Sequence, residues 1–133
     1  MDVATAVVRW LFGGFYAFIG GSWWLDHLTG RPWVPPPEPL PARALTSALT
    51  ASGLVDPLIA SVCLLGGLLL LLRRTAPLGL VVLAPLVVSI FLFHLVLTGN
   101  VAWGSLHLGV LLLLLWLHRE AFQPLYRHRL LAR

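Results

Sequence analysis

The chain has 133 residues, of which 59% are apolar and 11% are charged, and its nine basic residues, all arginine, outnumber its five acidic ones. With a mean hydropathy of +0.90 it lacks the polar surface of a water-soluble domain of this size, which excludes that class and predicts an integral membrane protein. Membrane topology and attraction to anionic lipid account for the excess of basic over acidic residues, so this excess does not indicate a nucleic-acid partner.

Four apolar stretches approach the roughly 20 residues that a helix needs to cross a bilayer. They predict an all-α fold, a four-helix bundle in one transmembrane domain of residues 1–133, with helices at about 3–25, 54–73, 76–98 and 101–123. We expect the first to be a retained helix rather than a cleaved signal, because Met1-Asp2 supplies no basic start and Arg9 interrupts the apolar run.

The distribution of arginine predicts the orientation. If the N-terminus is cytoplasmic, only Arg31 and Arg43 of the nine arginines lie outside. The other seven then lie on the cytoplasmic side: Arg9, Arg73, Arg74, Arg119, Arg127, Arg129 and Arg133. The positive-inside rule therefore places both termini in the cytoplasm and the multi-pass chain in the inner (plasma) membrane.

The first helix carries a face of small residues and one charge. Gly13, Ala17 and Gly20 share a face, and such faces let helices pack closely in membranes. Arg9 lies one to two turns inside the helix, where a guanidinium is costly unless it snorkels to the interface or finds an anionic partner. Glu120, at the cytoplasmic end of the fourth helix, lies in the same plane. We expect either a structural Arg9–Glu120 pair or a snorkelling Arg9.

The segment 26–53 differs sharply from its surroundings. Its six prolines lie between residues 32 and 41, which excludes a regular helix there and predicts an outer loop, with Trp33 at the interface. Residues 42–52 contain neither proline nor glycine, and they predict a short surface helix that covers the mouth of the bundle. At the other end of the chain, residues 124–133 are expected to form a basic cytoplasmic tail.

The outer ends of the helices hold the candidate site. His94 lies six residues before Asn100 and His107 seven residues after it, which places both imidazoles about 10 Å inside the joint between helices 3 and 4. Asp56 enters the same layer from the start of helix 2, where it either points toward the bundle or only caps its helix. The predicted ligand-binding residues are His94, His107, Asp56, Trp24 and Asp26.

Several chemistries suit two histidines and a carboxylate. They could bind a divalent metal, donate to a quinone carbonyl or relay a proton, whereas the alternative is a structural hydrogen bond between helices 3 and 4. No HxxxH spacing within one helix supports a metal, so no metal site is assigned. Catalytic residues remain unknown, because the chain has no phosphate loop, dinucleotide fingerprint, haem-attachment motif or HExxH.

Short motifs along nearly the whole chain resemble the DoxX-like family of small membrane proteins. They are Arg9, Gly20, the acidic Asp56, the run LLGGLLLLLRR from Leu64 to Arg74, His94, and the closing Trp116-Leu117-His118-Arg119-Glu120 with Phe122 and Pro124-Leu125. The resemblance implies a four-helix membrane bundle and association with quinone-linked oxidation, as a membrane subunit or anchor of an oxidoreductase. It also carries Arg9, Asp56 and His94 over as candidate functional positions.

The expected cofactor is therefore a quinone, and the expected partners are the lipid bilayer and either a larger membrane complex or further copies of the chain. Two other functions stay open. A structural accessory subunit would use its small-residue faces and basic tail to dock on a complex. A small-molecule transporter would need a polar path between Arg9 and His94, where leucine and valine predominate.

Overall fold

The structure is a computed structural model that describes residues 3–32 and 37–124, and 86% of it is helical, with no strand in those residues. The predicted all-α class is confirmed. The helices are α1 (Val3–Thr29), α2 (Leu40–Ala51), α3 (Val55–Leu71), α4 (Ala76–Phe93), which continues as a π-helix (His94–Thr98), and α5 (Val101–Leu117), followed by a 3₁₀ turn (Arg119–Phe122). Trp33 and most of the predicted basic tail, residues 125–133, lie outside the described residues.

The long helices pack in chain order. Helix α1 lies along α3, α3 packs against α4, and α4 packs against α5, which returns to α1 through a smaller interface. The tightest approach joins α1 and α3, where a side chain on Gly20 would collide with the backbone of Ala60 and Leu64. Gly67 of α3 lies equally close to the backbone of Gly13 and Ala17. The predicted packing face of small residues on the first helix is therefore confirmed.

Large apolar side chains occupy both the inside and the outside of the fold. The core contains Tyr16, Leu80, Leu83 and Leu111, none more than 1% exposed. The outer face of every long helix carries exposed leucines, joined by exposed aromatic residues on α1 and α5. A surface of this kind is unusual for a protein in water. By length and composition, α1 and the segment Ala76–Thr98 could each cross a membrane, and α2 with α3 could form a third, bent span.

Helix α2 lies across one end of the long helices. It meets α3 at an angle of 94°, and the corner is formed by Ser52 and Gly53. The Ser52 hydroxyl accepts hydrogen bonds from the backbone N–H groups of Leu54 and Val55, while Gly53 adopts a φ of +67° that favours glycine. Helix α2 also contacts the π-helix that ends α4. The loop after α1, the start of α3 and the joint at Asn100 therefore meet at this end of the fold.

Candidate functional site

Arg9 binds the end of a neighbouring helix. Its side chain is only 3% exposed, and its Nη1 donates to the carbonyl oxygens of Leu70 and Leu71, both at 2.6 Å. These carbonyls belong to the last turn of α3, where the helix itself supplies no donors. The guanidinium also lies at the negative end of the α3 dipole. Arg9 therefore caps α3 from α1 through its Nη1 atom, while its buried Nε atom has no hydrogen-bond partner among the described residues.

The predicted pair between Arg9 and Glu120 does not form in the structure. Glu120 is exposed on the 3₁₀ turn after α5, and no ion pair joins the two side chains. The snorkelling alternative also fails, because the guanidinium is buried between helices rather than extended to the surface. The physical reason is that the unpaired carbonyls of α3 lie within direct reach of Arg9 and satisfy its Nη1 nitrogen.

His107 forms a buried hydrogen bond with a residue that the sequence analysis missed. The Tyr16 hydroxyl and His107 Nδ1 lie 2.8 Å apart, and the pair joins α1 to α5. Three further aromatic rings surround the imidazole, with centroids at 4.8 Å for Trp103, 5.2 Å for Phe15 and 6.1 Å for Phe12. Tyr16 falls between Gly13 and Gly20 on the packing face of α1, which is the signal that could have indicated it.

His94 does not join this pair. Its Nδ1 lies 3.0 Å from the carbonyl oxygen of Ile90, one turn earlier in the same helix. Its Cβ packs beside Gly104, which lies one turn before His107 on α5. The two imidazoles are therefore close in depth, as their spacing predicted, but each has its own partner and no hydrogen bond links them.

A cavity of about 1000 Å³ opens beneath α2, at the end of the fold where Asp56 lies. Its deepest lining residues are apolar and include the buried Ala60 and Cys63, whereas its mouth carries the exposed Arg31 and Arg43. The complete lining is Ile19, Trp23, His27, Arg31, Pro37, Glu38, Arg43, Thr46, Ser47, Thr50, Ala51, Asp56, Ile59, Ala60 and Cys63.

Asp56 is the only predicted ligand-binding residue that lines this cavity. Its half-buried side chain has no hydrogen-bond or ion-pair partner among the described residues, so its carboxylate is free to accept a hydrogen bond from a ligand. From α1 the cavity receives Trp23 and His27, whose rings stack at 4.9 Å and 10°. Trp24 and Asp26, the residues predicted from this helix, lie outside the lining.

The predicted layer thus separates into two places, a cavity with Asp56 and a buried pair with His107, while His94 belongs to neither. Within residues 3–32 and 37–124, no three side chains of histidine, cysteine, aspartate or glutamate lie close enough to hold a metal ion. Comparisons with protein-family models, curated proteins and solved structures find no match for this chain.

Proposed function

We propose that the chain is a DoxX-like integral membrane protein, a four-helix bundle with both termini in the cytoplasm. It serves a quinone-linked redox system as a membrane subunit or anchor, and it holds its quinone in the cavity beneath α2. The observation that carries this proposal is the cavity itself, which combines an apolar floor, a flat aromatic wall and a free carboxylate at one end of an apolar fold.

The membrane part of the proposal rests on the outer surface. Exposed leucine, valine and phenylalanine side chains would be costly in water, but they are the ordinary surface of a helix in lipid. The two ends of the fold also differ in charge along the chain, since Arg9, Arg73 and Arg74 lie at the end opposite α2. That end is the cytoplasmic one in the proposed orientation.

The ligand part rests on the chemistry of the lining. A quinol has a flat ring, two hydroxyl groups and an apolar tail, and each finds a counterpart here. The ring can stack on Trp23, a hydroxyl can donate to Asp56, and the tail can lie against Ile59 and Ala60. The volume of about 1000 Å³ is at the upper end of the range found for small-molecule sites, so it can hold the ring and part of the tail.

The test is the quinone that co-purifies with the protein. Mild detergent extraction followed by mass spectrometry should find quinone in stoichiometric amount with the wild-type chain. Ser47→Trp adds a large ring to the cavity lining and should reduce that amount at least fivefold. Ala48→Trp is the matched control, because Ala48 is its exposed neighbour on α2 and does not line the cavity.

Two outcomes would contradict the proposal. Wild-type protein that carries no quinone, but purifies within a larger complex of fixed composition, would favour a structural accessory subunit. Equal quinone content in Ser47→Trp and Ala48→Trp would show that the quinone binds elsewhere. A transporter needs a polar route through the fold, and the buried side chains between the cavity and Arg9 include Phe12 and Leu70 instead.

A further inference from the structure

The interface between α1 and α5 contains a polar group that the fold itself does not use. His107 is 6% exposed, and only one of its two ring nitrogens, Nδ1, has a hydrogen-bond partner, the Tyr16 hydroxyl. The other nitrogen, Nε2, makes no hydrogen bond with any described residue. This unpaired nitrogen is not fully buried, so it reaches the surface of the fold.

The position of the imidazole proton follows from Tyr16. This tyrosine is 1% exposed, and among the described residues its hydroxyl has one hydrogen-bond partner, His107 Nδ1. Because a buried hydroxyl hydrogen without an acceptor is costly, the hydroxyl donates and Nδ1 accepts. A neutral imidazole that accepts at Nδ1 carries its proton on Nε2. The free nitrogen of His107 is therefore a donor, and it can be satisfied only by an acceptor.

The surroundings of this donor restrict what can reach it. The rings of Phe15 and Trp103 lie 5.2 Å and 4.8 Å from the imidazole, and both are partly exposed on the outside of the fold. The faces of aromatic rings favour another flat ring. The adjoining outer surface is apolar, with Leu11 and Leu106 exposed, so an uncharged molecule dissolved in the bilayer has access and an ion does not.

We infer that His107 Nε2 is the hydrogen-bond donor of a second ligand site, which takes an uncharged flat ring bearing a carbonyl oxygen from the bilayer. Tyr16 is its positioning residue, since it fixes the proton on Nε2. Phe15 and Trp103 hold the ring. None of these four residues lines the cavity beneath α2, so the site rests on the membrane part of the proposed function but is separate from the proposed quinone cavity.

The carbonyl could come from a quinone-type ring or from the ester group of a phospholipid, and the experiment separates the two. Protein labelled with ¹⁵N-histidine is reconstituted in nanodiscs of ether-linked lipid, which has no ester carbonyl, and titrated with a decyl-substituted benzoquinone. The signal of His107 is assigned by its loss in His107→Phe. We expect an unprotonated Nδ1, a protonated Nε2, and a saturable shift of the Nε2–H resonance as quinone is added.

Affinity then tests the contact, measured by equilibrium dialysis of the quinone against protein that also carries Ser47→Trp, so that the cavity beneath α2 does not contribute. His107→Phe keeps an aromatic ring in the cluster but removes the donor, so quinone should bind about tenfold more weakly, which corresponds to one hydrogen bond. Trp103→Leu removes an aromatic ring from the side of the site, leaves the Tyr16–His107 hydrogen bond in place, and should also weaken quinone binding. The control is His118→Phe, at the opposite end of α5, where Nδ1 lies 2.9 Å from the Leu114 carbonyl oxygen. It should bind quinone as the wild type does.

The titration itself is read on the wild-type protein, and His107→Phe serves there only to assign the resonance, so a variant that folds poorly cannot produce or hide the shift. A protonated Nδ1, or an Nε2–H resonance that quinone does not move, would overturn the inference. A shift produced by ester-linked lipid alone would assign the donor to a lipid carbonyl and overturn it as well. Ser47→Trp should leave the Nε2–H shift intact, so failure of this site and failure of the proposed cavity are distinguishable.

Discussion

Arg9 illustrates how a single charge is accommodated in an apolar fold. The last carbonyls of any helix lack intrahelical donors, and in α3 two of them, at Leu70 and Leu71, accept from the guanidinium of Arg9 at 2.6 Å. Its sequence position indicated that Arg9 needs a partner. The partner itself was beyond the sequence, because backbone carbonyls occur at every residue and only tertiary packing selects two of them.

Removing this contact should destabilise the fold. Arg9→Leu leaves the two carbonyls without their donor, and we expect a loss of about 2–4 kcal/mol, in line with two charge-assisted hydrogen bonds. Arg9→Lys should lose less, since an ammonium keeps the charge but cannot reproduce the planar guanidinium. Thermal unfolding in detergent measures both. Equal stability of Arg9→Leu and wild type would contradict the capping role.

The same experiment separates the observed contact from the ion pair that the sequence suggested. Glu120→Gln should leave stability unchanged, because Glu120 is exposed and does not contact Arg9. The double variant Arg9→Leu with Glu120→Gln should then show simple additivity. A coupling clearly above about 0.5 kcal/mol would restore the ion pair.

At the scale of elements, the rotation of α1 about its axis decides which of its residues line the cavity beneath α2. The small face from Gly13 to Gly20 could be identified from spacing, and the structure places it against α3. To predict which residues of α1 line the cavity, the rotation of the helix about its axis has to be known more precisely than the spacing of small residues gives it. Ile19, Trp23 and His27 follow one another at spacings of four and line the cavity together, whereas Trp24 and Asp26 lie on adjacent faces. The position of Tyr16 on the packing face indicated that it is buried, but its pairing with His107 could not be predicted, because it joins residues 91 positions apart.

The close approach of α1 and α3 gives a prediction with an internal control. Gly20→Val places a branched side chain against the α3 backbone at Ala60 and Leu64. The two helices can make room for it only by moving apart. We expect a loss of about 3 kcal/mol or more, or failure to fold. Gly14→Val, six residues earlier on the same helix, places its Cβ more than 4 Å from every atom of the neighbouring helices and should be tolerated.

The fraction of folded monomer in size-exclusion chromatography and the unfolding temperature measure this difference. Both variants replace a glycine by the same β-branched residue in one helix, so propensity effects are matched. Similar behaviour of Gly14→Val and Gly20→Val would contradict the packing of α1 on α3.

At the scale of the whole molecule, the two ends of the fold have different properties. One end holds α2, the cavity and the joint at Asn100, whereas the other holds the Arg9 contact and the turn at Arg73. Composition and the length of the apolar stretches predicted four helices long enough to cross a membrane, and two to three such helices are present in the described residues, because Val101–Leu117 is shorter. The cavity could not be predicted, because it depends on the 94° corner that places α2 over the start of α3.

The proposed function requires α2 and its cavity to lie on the outer side of the membrane, and cysteine labelling tests this most directly. In a Cys63→Ala background, Ser47→Cys on α2 and Gln123→Cys after α5 each provide one exposed thiol at opposite ends of the fold. A membrane-impermeant maleimide should label Ser47→Cys in intact cells and Gln123→Cys only after lysis. Labelling of Gln123→Cys in intact cells, with Ser47→Cys protected until lysis, would contradict the proposed orientation and place the cavity in the cytoplasm.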